Sequence, residues 1–264
     1  DATSHLFGYN EYADVTDRDQ ANVDFLTNFN NHLLSVNPDT YVVVEAWEGY
    51  GTYAKYHGAG LSVFNFQASY DIKGAVQGYL GDDIGSAFNR TYNEFRKYNP
   101  DFHDAVFFNN HDTERLAFSV SDLNKLRQAS EILLTMPGNP FIYYGDEIGI
   151  RGERTNMLWG TLYNNIGSSS IDSSVINASI QLLDDDSLLN AYITLGEVRN
   201  ASLALSYGDF IPYENGQVEG YYRVFENGDD KELIVVLFNF SSYYHKVIPS
   251  EFTSYEIIYA SFEN

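Results

Sequence analysis

Apolar positions change their period several times along the chain, and each change marks an element. Between Asp17 and Val36, Phe25, Leu26, Phe29, Leu33 and Leu34 recur at helical spacing, Asp17 and Asp19 stand at the start, and Asn37-Pro38 stops the run. That spacing predicts an amphipathic helix. Tyr41-Val-Val-Val-Glu-Ala-Trp47 is β-branched and nearly continuous, a buried strand that ends in Glu45, and Leu61–Phe66 reads as another strand. A long helix is expected over Ile72–Tyr98, interrupted near Gly81–Gly85, with Val76, Leu80, Ile84, Phe88, Tyr92 and Phe95 turned inward. Ala105-Val-Phe-Phe108 is a further apolar run that breaks without a turn dipeptide into Asn109, Asn110, His111, Asp112, Glu114 and Arg115. Ser121 or Asp122 then caps a helix carrying Leu123, Leu126, Ala129, Ile132 and Leu133, Pro137-Gly138 closes it, and Phe141–Glu147 is one more strand ending in acids.

Strand and helix alternate up to about residue 199, the grammar of a parallel α/β fold. Acids collected at strand ends favour a (β/α)8 TIM barrel over an open sheet, because barrel chemistry sits at the carboxyl ends of the strands. Only about four such strands are visible, half of a closed barrel. Residues 151–183 are polar and Ser/Asn-rich, and are expected to loop over the active face. A helix over Ser187–Arg199 follows, and from Ser206 the period falls to two, with Asn227-Gly228 as a hairpin signal. The expected organisation is the C-terminal half of a (β/α)8 TIM barrel over residues 1–205, then a small all-β antiparallel sandwich over 206–264.

Composition narrows the function. The 264 residues are 44% hydrophobic and 20% charged, a globular balance. A net charge of −22 argues against nucleic-acid and anionic-membrane partners, which require a basic face. With no cysteine, disulfides and thiolate chemistry are excluded. No apolar run reaches membrane-spanning length. The 22 Tyr and 18 Phe suit sugar rings, with their apolar C–H faces, although aromatic rings also fill cores.

The acids then matter as a set. Glu45 and Asp112 end predicted strands, and Asp1 would do so if a strand preceded it in a longer parent. Retaining glycosidases need a nucleophilic carboxylate and a proton-donating carboxylic acid about 5 Å apart, and a third acid nearby raises the donor's pKa. Arg115 could orient a carboxylate or pair with Glu114 on the surface. Glu48 competes with Glu45, but it does not directly end the apolar run. His32, His57, His103 and His245 stand at unrelated spacings and read as surface or core residues.

Asp1-Ala-Thr-Ser-His5, Val43-Val-Glu-Ala-Trp47, Phe107-Phe-Asn-Asn-His-Asp-Thr-Glu-Arg115 and Pro137-Gly-Asn-Pro-Phe-Ile-Tyr-Tyr-Gly-Asp-Glu147 resemble, in order, conserved regions of the α-amylase family, glycoside hydrolase family 13. The resemblance implies a retaining hydrolase of α-glucosidic bonds in starch-like glucans or maltooligosaccharides. By it, Asp1 matches the nucleophile, Glu45 the general acid/base, and Asp112 the third acid. His111 matches the histidine of the cleaved subsite and His5 a second histidine near the adjoining one; Arg115 joins the expected substrate-binding set. Asp146 and Glu147 match a structural motif. Ser4 stands where many members carry Lys. The family's first strands, an Arg two residues ahead of the nucleophile and part of a calcium site all precede Asp1. The resemblance therefore implies the C-terminal part of a longer enzyme, inactive or nearly so alone, with no metal ligand assigned here and Ca2+ expected only in the full-length parent. A secreted location is favoured over a cytoplasmic one. Transglycosylation by the same residues, or a non-catalytic glucan-binding role, are the competing functions.

Overall fold

The computed structural model describes residues 3–7, 17–159, 176–213, 218–241, 243, 247 and 254–261. In chain order these form α1 (Arg18–Val36), β1 (Val43–Val44), α2 (Tyr50–Tyr53), β2 (Ser62–Asn65), α3 (Phe66–Gln77), α4 (Ile84–Phe95), β3 (Ala105–Val106), α5 (Leu116–Ser119), α6 (Leu123–Thr135) and β4 (Asn139–Pro140). They continue as α7 (Ala178–Gln181), α8 (Leu188–Ala201), α9 (Leu203–Tyr207), β5 (Asp209–Pro212), β6 (Glu219–Asn227) and β7 (Asp230–Phe238).

Strands β1 to β4 are all parallel and lie in sequential order, with Val43 beside Ser62, Phe64 beside Ala105 and Ala105 beside Asn139. Sequential parallel order is that of consecutive (β/α)8 strands, whereas a doubly wound sheet reverses its order partway. The parallel part is therefore a partial barrel, followed by the antiparallel sheet β5-β6-β7. In that sheet Asn227 pairs with Asp230 around Gly228, whose φ of +63° suits a tight hairpin. A second layer that would make it a sandwich is not among the described residues.

Local chemistry sets the boundaries. Asp17 caps α1 by accepting from the Gln20 amide, Asn65 caps α3 from Ala68, Asp83 caps α4 from Ser86, and Asp122 caps α6 from Asn124. The long helix expected over 72–98 is thus two helices, because Gly78 turns left-handed (φ +82°) and Asp83 starts afresh. The last parallel strand also sits further upstream than expected. It pairs at Asn139–Pro140, the Phe141 amide still bonds Val106 O, and Gly145 (φ +91°) then turns the chain into a short 3-10 turn over Asp146–Ile148. On α1 the apolar stripe predicts the wrong packing: Phe25 and Phe29 are exposed, while Asn22, Leu26 and Asn30 face inward. The two amides win that face because they bond backbone groups nearby, Asn22 with Ser4 O and the Phe7 amide, Asn30 with Ala59 O and Gly60 O.

The antiparallel sheet shares one apolar core with the partial barrel. Phe210 and Tyr221 pack with Phe88 and Tyr92, and the Tyr221 hydroxyl bonds Thr135 at 2.6 Å. The buried Arg223 donates to Thr135 O and Gly208 O, and a Cβ on Gly85 would stand 2.3 Å from Gly220 O. Only glycine permits that backbone approach.

Ahead of β3 lies a wholly buried polar network. Asp104 accepts from Asn65 Nδ2, whose partner oxygen accepts from the Tyr53 hydroxyl, and His57 Nε2 stands 3.9 Å from Asp104. Burial raises the Asp104 pKa to about 7 and lowers that of His57 to about 4. Between pH 4 and about 6.5 the two oppose each other: neutral Asp104 favours the fold at low pH, and neutral His57 favours it as pH rises. Asp104→Asn removes the first contribution. Its melting temperature relative to wild type should therefore climb as pH rises from 4 to 7 and level off above. A pH-independent difference between the two proteins would refute this network's titration.

Candidate active site

At the carboxyl ends of β1 to β4 the side chains enclose a pocket of about 190 Å³. Glu45 enters it from just beyond β1, Phe64 from β2, Phe107, Asn109, Asn110 and His111 from beyond β3, and Phe141, Ile142 and Tyr143 from beyond β4. Phe64 packs edge-on against Phe107 (5.6 Å between ring centres) and Phe141 (4.9 Å), forming an apolar floor. These rings were missed from sequence. Alternate residues of a barrel strand point inward, so the floor was signalled only by the strand register.

The Glu45 carboxylate has no hydrogen-bond or ion-pair partner among the described residues, while the Glu45 carbonyl accepts from the Thr3 amide at 2.9 Å. The acid is left open to a ligand. Glu48 is exposed and does not line the pocket. Beside Glu45, the half-exposed Trp47 stacks on Phe66 at 5.1 Å and donates from Nε1 to the Tyr70 hydroxyl.

His111 lines the same pocket, and its Nε2 stands 3.1 Å from Asp112 Oδ2. The other Asp112 oxygen accepts from Arg154 at 2.8 Å, so Asp112 joins the pocket through His111 rather than lining it. His5 is exposed at the end of the Thr3–His5 turn and does not line it either. Asp1 lies outside the described residues.

Arg115 requires a correction. Read from sequence as orienting a carboxylate or pairing with Glu114 on the surface, and placed by resemblance in the substrate-binding set, it is 0% exposed, engages protein groups through each nitrogen, and orients a carboxylate, that of Asp146. Nη1 pairs with Asp146 at 2.7 Å, Nη2 donates to Tyr144 O, and Nε donates to Gly152 O, with the guanidinium lying 4.1 Å from the Tyr143 ring centre. Its burial, and not a shortage of N–H donors, keeps it from a ligand. The same Asp146 oxygen accepts from Asn109 Nδ2 at 2.9 Å. One carboxylate thus pins both ends of the turn that presents His111 and Asp112. Burial pushes Asp146 up to about 7, against the pull of Arg115.

Among the described residues no group of three or more His, Asp or Glu is placed to hold a metal ion, and no helix is long and apolar enough to cross a membrane.

Parallel strands carry a carboxyl group at one tip and a His–Asp pair at another, around an aromatic floor, at the carboxyl-terminal face where a (β/α)8 barrel places its site. The chain belongs to the α-amylase family of glycoside hydrolases, since residues 2–173 match the family described as "Alpha amylase, catalytic domain". It is 33% identical over 224 residues to "Alpha-amylase 3" of Dictyoglomus thermophilum, covering 79% of this chain and 43% of that protein. It is 27% identical to "Alpha-amylase SusG" of Bacteroides thetaiotaomicron, covering 76% of this chain and 32% of that one. Among solved structures, "Eubacterium rectale Amy13B" superposes with a TM-score of 0.72 at 27% identity, covering 88% of this chain and 48% of that one. The chain spans less than half the length of these relatives.

Proposed function

We propose that this chain carries the acid and sugar-binding side of a retaining glycosidase that cleaves α-glucosidic bonds in starch-like glucans or maltooligosaccharides. The observation that carries the reading is the Glu45 carboxyl group, unpartnered among the described residues, at an aromatic-floored pocket shared with His111. A sugar ring laid on Phe64, Phe107 and Phe141 would present its glycosidic oxygen to Glu45, which donates a proton as the bond breaks. His111 and Asp112 would hold ring hydroxyls through charge-assisted hydrogen bonds. Asp1, by its match to the family's motif, would attack the anomeric carbon to give a β-glycosyl enzyme. Glu45 then deprotonates the incoming water, and the product keeps the α configuration. A calcium ion, if one is used, would belong to the full-length parent.

Among the described residues β1 and β4 are the outer strands of the parallel sheet, and an open barrel edge holds its tips less firmly than a closed one. Slow turnover by the chain alone is therefore part of the proposal. Proton NMR of maltoheptaose cleavage tests the reading: the α-anomer should appear first. A β-anomer appearing first would overturn retention, and longer oligosaccharides accumulating ahead of short ones would shift the reading to transglycosylation.

A further inference from the structure

Helix α3 presents Ser69, Lys73 and Gln77 at four-residue spacing, hence on one face. All three reach the same neighbouring stretch. Ser69 Oγ donates to Phe108 O at 2.8 Å, Lys73 Nζ to Glu114 O at 3.0 Å, and Gln77 Nε2 to Ser119 Oγ at 2.8 Å. Phe108 and Glu114 bracket the turn that bears His111 and Asp112. Asp146 fixes this turn from beneath, through Asn109 and Arg115; the three α3 side chains brace it from the flank.

We propose that Lys73 is a positioning residue for the reaction, the middle rung of a Ser69–Lys73–Gln77 ladder that sets the pose of the turn carrying His111 and Asp112. Nothing in the acid-and-sugar mechanism uses Lys73 directly. Its side chain is half-buried, and its bond to Glu114 O lies at the surface. The charged groups facing it are Glu114 on the braced stretch and Asp146 on the 3-10 turn, the latter paired with Arg115. Both carboxylates favour the charged lysine, yet burial outweighs them and brings its pKa down to about 8. A neutral amine can still donate, but without charge assistance the bond to Glu114 O weakens. The brace therefore loosens at mildly alkaline pH, where an ordinary lysine would still be charged.

Amide hydrogen exchange over residues 109–115, corrected for intrinsic rates, reads the brace on the chain itself. In wild type, protection should fall at least tenfold between pH 7 and pH 9. Lys73→Met should be unprotected at both values, and Lys73→Arg protected at both. Equal protection in wild type and Lys73→Met would overturn the proposal, as would a wild-type profile flat across this range. Should Lys73→Met fail to fold, Gln77→Ala removes an outer rung and must raise exchange in 109–115 without raising it in α6. The catalytic half of the proposal rests on the glycosidase reading. Where hydrolysis is measurable, Lys73→Met should lower kcat about tenfold with KM nearly unchanged, and Lys73→Arg should restore it. A normal kcat in a Lys73→Met protein with an unprotected turn would overturn the positioning role. Absence of glucan turnover in wild type would sink the glycosidase reading alone, leaving exchange to decide the brace.

Discussion

Glu45→Gln is expected to lower kcat for maltoheptaose by about 10²–10⁴-fold, the usual contribution of a positioned general acid/base. Its affinity for the same oligosaccharide should stay within about threefold. The amide has the shape of the protonated carboxyl group and still donates a hydrogen bond, but it has no proton to give the leaving oxygen. Because the Glu45 carboxylate bonds nothing else among the described residues, the change should leave the melting temperature near that of wild type, so lost turnover would report chemistry and not folding. The measurement belongs in a form of the protein that turns over glucan, with Glu48→Gln as its partner variant. Survival of hydrolysis in Glu45→Gln, or its loss in Glu48→Gln, would move the acid elsewhere.

The second large effect is on stability. Asp146→Ala removes the only acidic partner of the fully buried Arg115 among the described residues and one anchor of Asn109. Stranding a buried guanidinium costs about 3–5 kcal/mol, a large share of the roughly 5–15 kcal/mol that holds a domain folded. Urea unfolding of the chain should show the midpoint fall accordingly, with little change in slope. Asp146→Asn should lose less, since its side-chain oxygen can still accept from Asn109 and Arg115. A loss under about 1 kcal/mol in Asp146→Ala would show that Tyr144 O and Gly152 O satisfy Arg115 unaided.

The order of elements was legible because each follows from short-range pattern: helix starts at Asp17 and Asp122, parallel strands at Val43 and Ala105, a hairpin at Asn227-Gly228. Glu45, which directly ends an apolar run, lies in the pocket, as does His111, which stands beyond Asn109 and Asn110 and was pointed to by the resemblance. What sequence could not give lies in partners far apart along the chain. Arg115 looks like a surface cation beside Glu114 until Asp146, Tyr144 and Gly152 close round it. Asn22 and Asn30 read as the polar side of α1, yet they face inward because the backbone they bond comes from the Ser4–Phe7 and Ala59–Gly60 segments. Strands also proved shorter than their apolar runs. Phe107 and Phe141, beyond the paired portions of β3 and β4, join Phe64 of β2 in the pocket floor, and apolar content does not distinguish laddered backbone from backbone that has left the ladder.

Tyr221 and Phe210 stand in the same apolar mass as Phe88 and Tyr92, with Gly85 pressed against the backbone of Gly220. The C-terminal strands are thus a buttress and not an appendage. Trimming the chain before Asp209 would uncover the back of α4 and unmoor Thr135, so the partial barrel owes part of its rigidity to residues that do not line the pocket.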